Sequence, residues 1–252
     1  EHTVIHVPAL DTRPEGLEAP GRWYIITNWK ALNFRLMECG EEETANKRKW
    51  KEVVPHREEV LLEDVDAFRD HLVLSERRDG LTHLVVRRLS DDHTHEITFN
   101  DPAYVCYTGI NPEWGTDRLR YVYTSLTTPS SVYEHDLNTA GDTLLKQQEV
   151  MGGFNAKDYT SERIWVPARD GVRVPVSLVY RNGTELDGTA PLLLYGYGSY
   201  GVTIDPTFSS SRLSLLDRGF VFAIGHIRGG EELGREWYDT GKMEYKLNTF
   251  TD

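Results

Sequence analysis

Residues 192–227 read LLLYGYGSYGVTIDPTFSSSRLSLLDRGFVFAIGHI. LLLY (Leu192–Tyr195) is a continuous apolar run between Pro191 and Gly196. Such a run predicts a strand buried on both faces. FVFAIGHI (Phe220–Ile227) is a second one. Between them, SSSRLSLLDRG predicts a helix with Ser209 or Ser210 as its cap, Leu213, Leu215 and Leu216 inside, and Gly219 at its end. Strand, helix and strand in that order begin a parallel α/β sheet. Upstream, ERIWVPA (Glu162–Ala168) and RVPVSLVY (Arg173–Tyr180) flank Asp170-Gly171, a strong hairpin signal. Downstream, EELGREWYDTGK reads as a loop and a helical turn.

The first 150 residues or so follow another pattern. WYIITNW, FRLMEC, HLVLSER, HLVVRRL, YVCYTGI, RLRYVYTSL and SVYEHDL are short strands. Turn residues separate them: Asp79-Gly80, Asp91-Asp92, Asn100-Asp101-Pro102, Asn111-Pro112 and Thr128-Pro129. Many short strands at regular spacing predict a sandwich, barrel or propeller, and the spacing of the polar breaks is that of propeller blades. Gly152-Gly153 is the expected linker.

Composition narrows the function. Lys and Arg total 28 against 40 Asp and Glu, a net charge of -12. That balance argues against a nucleic-acid partner, which needs basic surface, and favours cationic ligands. No apolar run is long enough for a membrane-spanning helix. Cys39 and Cys106 build no disulfide framework and suit a reducing, cytoplasmic setting. The opening EHTVIHVPAL is not a signal peptide, and the closing LNTFTD carries no helix stop. The chain is therefore expected to be a piece of a longer polypeptide.

Gly196-Tyr-Gly-Ser-Tyr-Gly201 matches G-x-G-x-x-G after a strand, which raises a dinucleotide-dependent oxidoreductase. That chemistry needs the third glycine to open a helix onto the pyrophosphate. Here β-branched Val202, Thr203 and Ile204 follow, then Pro206. The second strand also leads to Arg228 where an acid for the ribose belongs. An oxyanion loop after the third strand of an α/β-hydrolase fits better, with the Tyr197 hydroxyl as a neutral donor.

Over residues 195–242 and NTFTD the sequence resembles the start of the catalytic domain of the prolyl oligopeptidase family of serine peptidases, most nearly its oligopeptidase B branch. ARDGVRVPVSLVY, NDPAYV, RLRYVYTSLTTPSSVYEHDL and LKQQEV extend the similarity over nearly the whole chain. The resemblance implies a mixed fold: all-β propeller blades over residues 1–150, then the start of an α/β-hydrolase domain over 151–252. It implies cleavage of short peptides after Arg or Lys through an acyl-enzyme, in a cavity between the domains, with no cofactor or metal. The partners are such peptides and the remainder of the same polypeptide.

Residue by residue, the resemblance makes Tyr197 the oxyanion stabiliser. Asp205 matches an acid that receives a basic residue next to the cleaved bond, and Tyr200 an aromatic near the specificity pocket. Where that branch can carry a second acid, this chain has Thr207, so a preference for paired basic residues is not implied. Arg228-Gly229-Gly230 is expected to be structural, Glu231 and Glu232 a solvated acidic loop, His226 a packed histidine, and His93 and His95 a solvated turn. No G-x-S-x-G occurs, so the nucleophile and its Asp and His partners are expected beyond Asp252. The alternative is an inactive propeller-based binding module.

Overall fold

The computed structural model describes residues 1–7 and 21–252. Among these, three four-stranded sheets follow one another along the chain. The first holds β1 (His2–Val7), β2 (Arg22–Thr27), β3 (Arg35–Gly40) and β4 (Lys51–Val54). The second holds β5 (Val60–Ala67), β6 (His71–Arg78), β7 (Leu81–Arg88) and β8 (Thr94–Ile97). The third holds β9 (Tyr104–Thr108), β10 (Arg118–Ser125), β11 (Ser131–Asp136) and β12 (Asp142–Gln147). Sequential strands pair antiparallel in each, the meander of a propeller blade. The β6–β7 turn shows the local cause. Arg78 pairs with Leu81, and Asp79 and Gly80 between them both have positive φ, +50° and +80°. That is the two-residue hairpin turn Asp-Gly favours.

The blades stack face to face. Side chains alternate sides along β6: Leu72 and Leu74 join a core with Val7, Tyr24, Ile26 and Leu36 of the first sheet. Val73 joins another with Tyr104, Leu119, Tyr121 and Tyr123 of the third. The middle sheet is thus buried on both faces.

A fourth sheet has the order β13-β14-β16-β15. β13 (Tyr159–Pro167) and β14 (Arg173–Arg181) form the hairpin that Asp170-Gly171 predicts. β15 (Leu192–Tyr195) and β16 (Val221–Gly225) run parallel, linked through α1 (Ser210–Leu216). Leu216 of α1 packs with Val179, Phe222 and Ile224, and with Ala103 and Leu126 from the ends of the third sheet, so this core binds the two parts together. Two short helices close the described chain, α2 (Arg235–Asp239) and α3 (Leu247–Thr251).

Two expectations differ from the structure. β15 is not buried: all four of its residues are exposed. Among the described residues it pairs with β16 alone, and α1 packs on β14 and β16. Ser209 does stand at the cap of α1, but its hydroxyl bonds Ser211 Oγ at 2.9 Å instead of a backbone N–H.

Candidate active-site edge

Loops from the C-terminal ends of β15 and β16 lie side by side. Gly201 N donates to Gly229 O at 2.9 Å. The approach is so close that a Cβ on Gly198 would lie 2.5 Å from Thr249 Cγ2 and 2.8 Å from Arg228 O. One on Gly229 would lie 2.1 Å from Gly198 O. Only glycine fits either place, and both have positive φ. Tyr197 stands on this loop and is 44% exposed. Tyr200 is 84% exposed and holds a φ of +57°, a left-handed conformation that non-glycine residues adopt at some cost. The backbone is packed and the phenols face outward.

Asp205 lies elsewhere than these tyrosines in its bonding. Its Oδ1 accepts from Arg77 Nη1 at 2.8 Å, and Arg77 Nε donates to Glu63 at 2.6 Å. Arg77 is the penultimate residue of β6 in the second sheet, and its side chain is only 4% exposed. The loop carrying Asp205 is therefore tied to the blades. Phe208 N, on the same loop, donates to Thr124 Oγ1 of the third sheet at 3.1 Å. Arg235 N donates to Asn33 Oδ1, beyond the first sheet's β2, at 2.8 Å.

A buried trio sits behind the loops. Ser177 Oγ and His226 Nε2 share a hydrogen bond of 2.8 Å, and His226 Nδ1 lies 4.0 Å from Glu232 Oε1. The residue types suggest a Ser-His-acid triad. Burial excludes it: Ser177 is fully buried, His226 2% and Glu232 3% exposed, so no substrate reaches the hydroxyl. The 4.0 Å gap is also too long for a hydrogen bond. Desolvation pushes the His226 imidazole down to about 4 and the Glu232 carboxyl up to about 7. A histidine so reluctant to take a proton is a poor general base.

His226 is thus the packed residue the sequence suggests. Glu231 and Glu232 are not a solvated loop. Glu232 Oε1 accepts from Ile204 N at 3.1 Å, and Glu231 Oε1 accepts from Arg235 Nη1 at 2.8 Å. His95 is half-buried, with Nε2 2.9 Å from His135 Nε2, so only His93 fits the solvated turn. Among the described residues no group of His, Cys, Asp and Glu could hold a metal ion. No described helix is long and apolar enough to cross a membrane. The helix after Gly196–Gly201 starts only at Ser210, so no glycine of that loop opens a helix N-terminus as a dinucleotide site requires.

A four-stranded meander repeated three times, then a 1-2-4-3 order of strands with the glycine-rich loop after the third, matches known proteins. The N-terminal β-propeller domain of prolyl oligopeptidase matches residues 15–148, and the prolyl oligopeptidase family matches 206–252. The chain belongs to the prolyl oligopeptidase family. It is 47% identical to dipeptidyl aminopeptidase BI of Pseudoxanthomonas mexicana over 92% of this chain and 32% of that protein. It is 39% identical to protease 2 of Moraxella lacunata over 90% of this chain and 32% of that protein. Oligopeptidase B from Trypanosoma brucei, in a closed form with covalently bound antipain, superposes with a TM-score of 0.87 at 34% identity. That match covers 100% of this chain and 35% of the other. The chain thus spans about a third of the length of its relatives. In this family the three meanders are propeller blades, and the fourth sheet begins the hydrolase domain.

Sequence reasoning missed Arg77 and Lys246. Arg77, in HLVLSERRDG, looks like any charged residue at a strand end; its partner Asp205 lies 128 residues away. Lys246, Thr249 and Asp252 recur every third residue, which is one side of a helix, and that spacing is legible.

Proposed function

We propose that these residues are part of a serine oligopeptidase of the oligopeptidase B kind, hydrolysing short peptides after Arg or Lys. The blades fill residues 1–150, and 151–252 open the hydrolase domain. The observation that carries the reading is Tyr197: an exposed phenol on a rigidly packed loop at the C-terminal end of a parallel strand, the end where open α/β sheets bind ligands. A serine from the part of the polypeptide that relatives have beyond this segment attacks the scissile carbonyl, its proton passing to a histidine oriented by an aspartate. The carbonyl oxygen becomes an oxyanion, and Tyr197 donates its hydroxyl proton in a hydrogen bond that tightens as charge develops. Collapse breaks the C–N bond as the histidine passes its proton to the leaving amine, and the acyl-enzyme that remains is hydrolysed by water.

Asp205 receives the substrate's basic side chain next to the cleaved bond. Arg77 occupies Oδ1, and the carboxylate keeps a quarter of its side chain in solvent, so the substrate's cation shares the charge. Tyr200, 84% exposed, lines the approach. The open edge of β15 receives the rest of the sheet. Free, buried Cys39 and Cys106 agree with a cytoplasmic enzyme.

The test is kcat/KM of the intact enzyme on reporters differing at the residue before the cleaved bond. Arg and Lys reporters should exceed proline and alanine ones by about 10² or more, since a site built for a charged group rejects analogues lacking it. A preference for proline would overturn the specificity. Activity confined to dipeptide reporters with a free amino terminus would favour the action in the name of the Pseudoxanthomonas relative. No hydrolysis at all would leave a binding module. Residues 1–252 alone should hydrolyse nothing.

A further inference from the structure

The oxyanion loop is clamped from outside by the last turn of the described chain. Lys246 Nζ donates to Gly198 O, to Ser199 Oγ at 2.8 Å and to Thr249 Oγ1 at 3.2 Å. These three bonds use all three protons of the ammonium group. Two of the acceptors lie on the residues that directly follow Tyr197. Thr249, 4% exposed, donates onward to Arg228 O at 2.7 Å. Asp252 accepts from Arg228 N at 2.8 Å and from Arg228 Nε at 3.0 Å. Lys246 and Asp252 at the two ends of α3, with Thr249 within it, thus hold both neighbouring loops.

We propose that Lys246 is a positioning residue for peptide hydrolysis, fixing the Gly198–Ser199 peptide so that Tyr197 presents its hydroxyl where the oxyanion forms. This rests on the reading of Tyr197 as the oxyanion donor. The loop backbone packs at Gly198, next to Tyr197, against Thr249, Arg228 and Ile227, and Lys246 ties that same point. A charge-assisted bond to the carbonyl is about twice as strong as a neutral one and adds a directional restraint to that packing. The need for it is geometric: a displacement of about 1 Å in a catalytic group can cost about 10² in rate.

The experiment is a double-mutant cycle in the intact peptidase with an Arg-containing reporter. Lys246→Met should lower kcat by about 10- to 100-fold, with KM changed less than about threefold. Lys246→Arg, which keeps the charge and the donors, should recover most of it. In a Tyr197→Phe background, Lys246→Met should change kcat by less than about threefold, because the hydroxyl it positions is gone. Should Lys246→Met fold poorly, Ser199→Ala replaces it in the same cycle, with a smaller loss that also vanishes beside Tyr197→Phe. Equal fold losses with and without the tyrosine hydroxyl would overturn the role of Lys246 and leave that of Tyr197 standing. An unchanged kcat in Tyr197→Phe alone would sink the oxyanion reading, and this role with it.

Discussion

Arg77 Nη1 and Asp205 Oδ1, 2.8 Å apart, join the second blade to the hydrolase part. The arginine is buried; Asp205 and its second partner Glu63 each keep about a quarter of their side chains in water. The asymmetry decides which loss matters more. With Arg77 removed, two carboxylates remain that water can reach. With both carboxylates neutralised, a guanidinium stays buried and uncompensated, a situation that costs about 3–5 kcal/mol. Glu63→Gln with Asp205→Asn should therefore destabilise the intact protein more than Arg77→Met. Denaturant midpoints measure this, and the reverse order would contradict it.

Ser177 and His226 look like a catalytic pair and are sealed from solvent. Ser177→Ala should leave kcat within about twofold and cost about 1–3 kcal/mol of stability, because His226 Nε2 is left buried without its partner. A loss of activity by orders of magnitude would show that the site opens.

Much of this fold is legible because the local rules agree. Asp79-Gly80 and Asp170-Gly171 mark their hairpins, and LLLY and FVFAIGHI their strands. Strands β5 and β12 are harder to see. VLLEDVDA carries three acids, and DTLLKQ is exposed throughout, so neither shows an alternation. Tyr197 is legible as a glycine-flanked aromatic after a strand. Arg77–Asp205 and the burial of Glu232 are not, because each depends on how sheets far apart in sequence meet.

Glu232 and His226 should make stability depend on pH in opposite directions. Burial raises the folded Glu232 pKa from 4.5 to about 7, so its ionisation penalises the fold above pH 7 and the penalty disappears as pH falls to 4.5. Burial lowers the folded His226 pKa from 6.5 to about 4, so acidification through that window favours the unfolded chain. The two largely cancel. Glu232→Gln removes one of them and keeps the acceptor for Ile204 N. The variant should exceed the parent by on the order of 3 kcal/mol at pH 8 and match it near pH 4.5. A difference independent of pH would contradict the assignment.

One oxygen atom, that of the Tyr197 hydroxyl, carries the proposed stabilisation of the oxyanion. Removing one oxyanion donor ordinarily lowers kcat by about 10² to 10³. Steady-state kinetics of Tyr197→Phe in the intact enzyme should show a kcat loss of that size with KM nearly unchanged, since the bond strengthens only as the carbonyl oxygen becomes negative. A kcat equal to that of the parent would contradict the account.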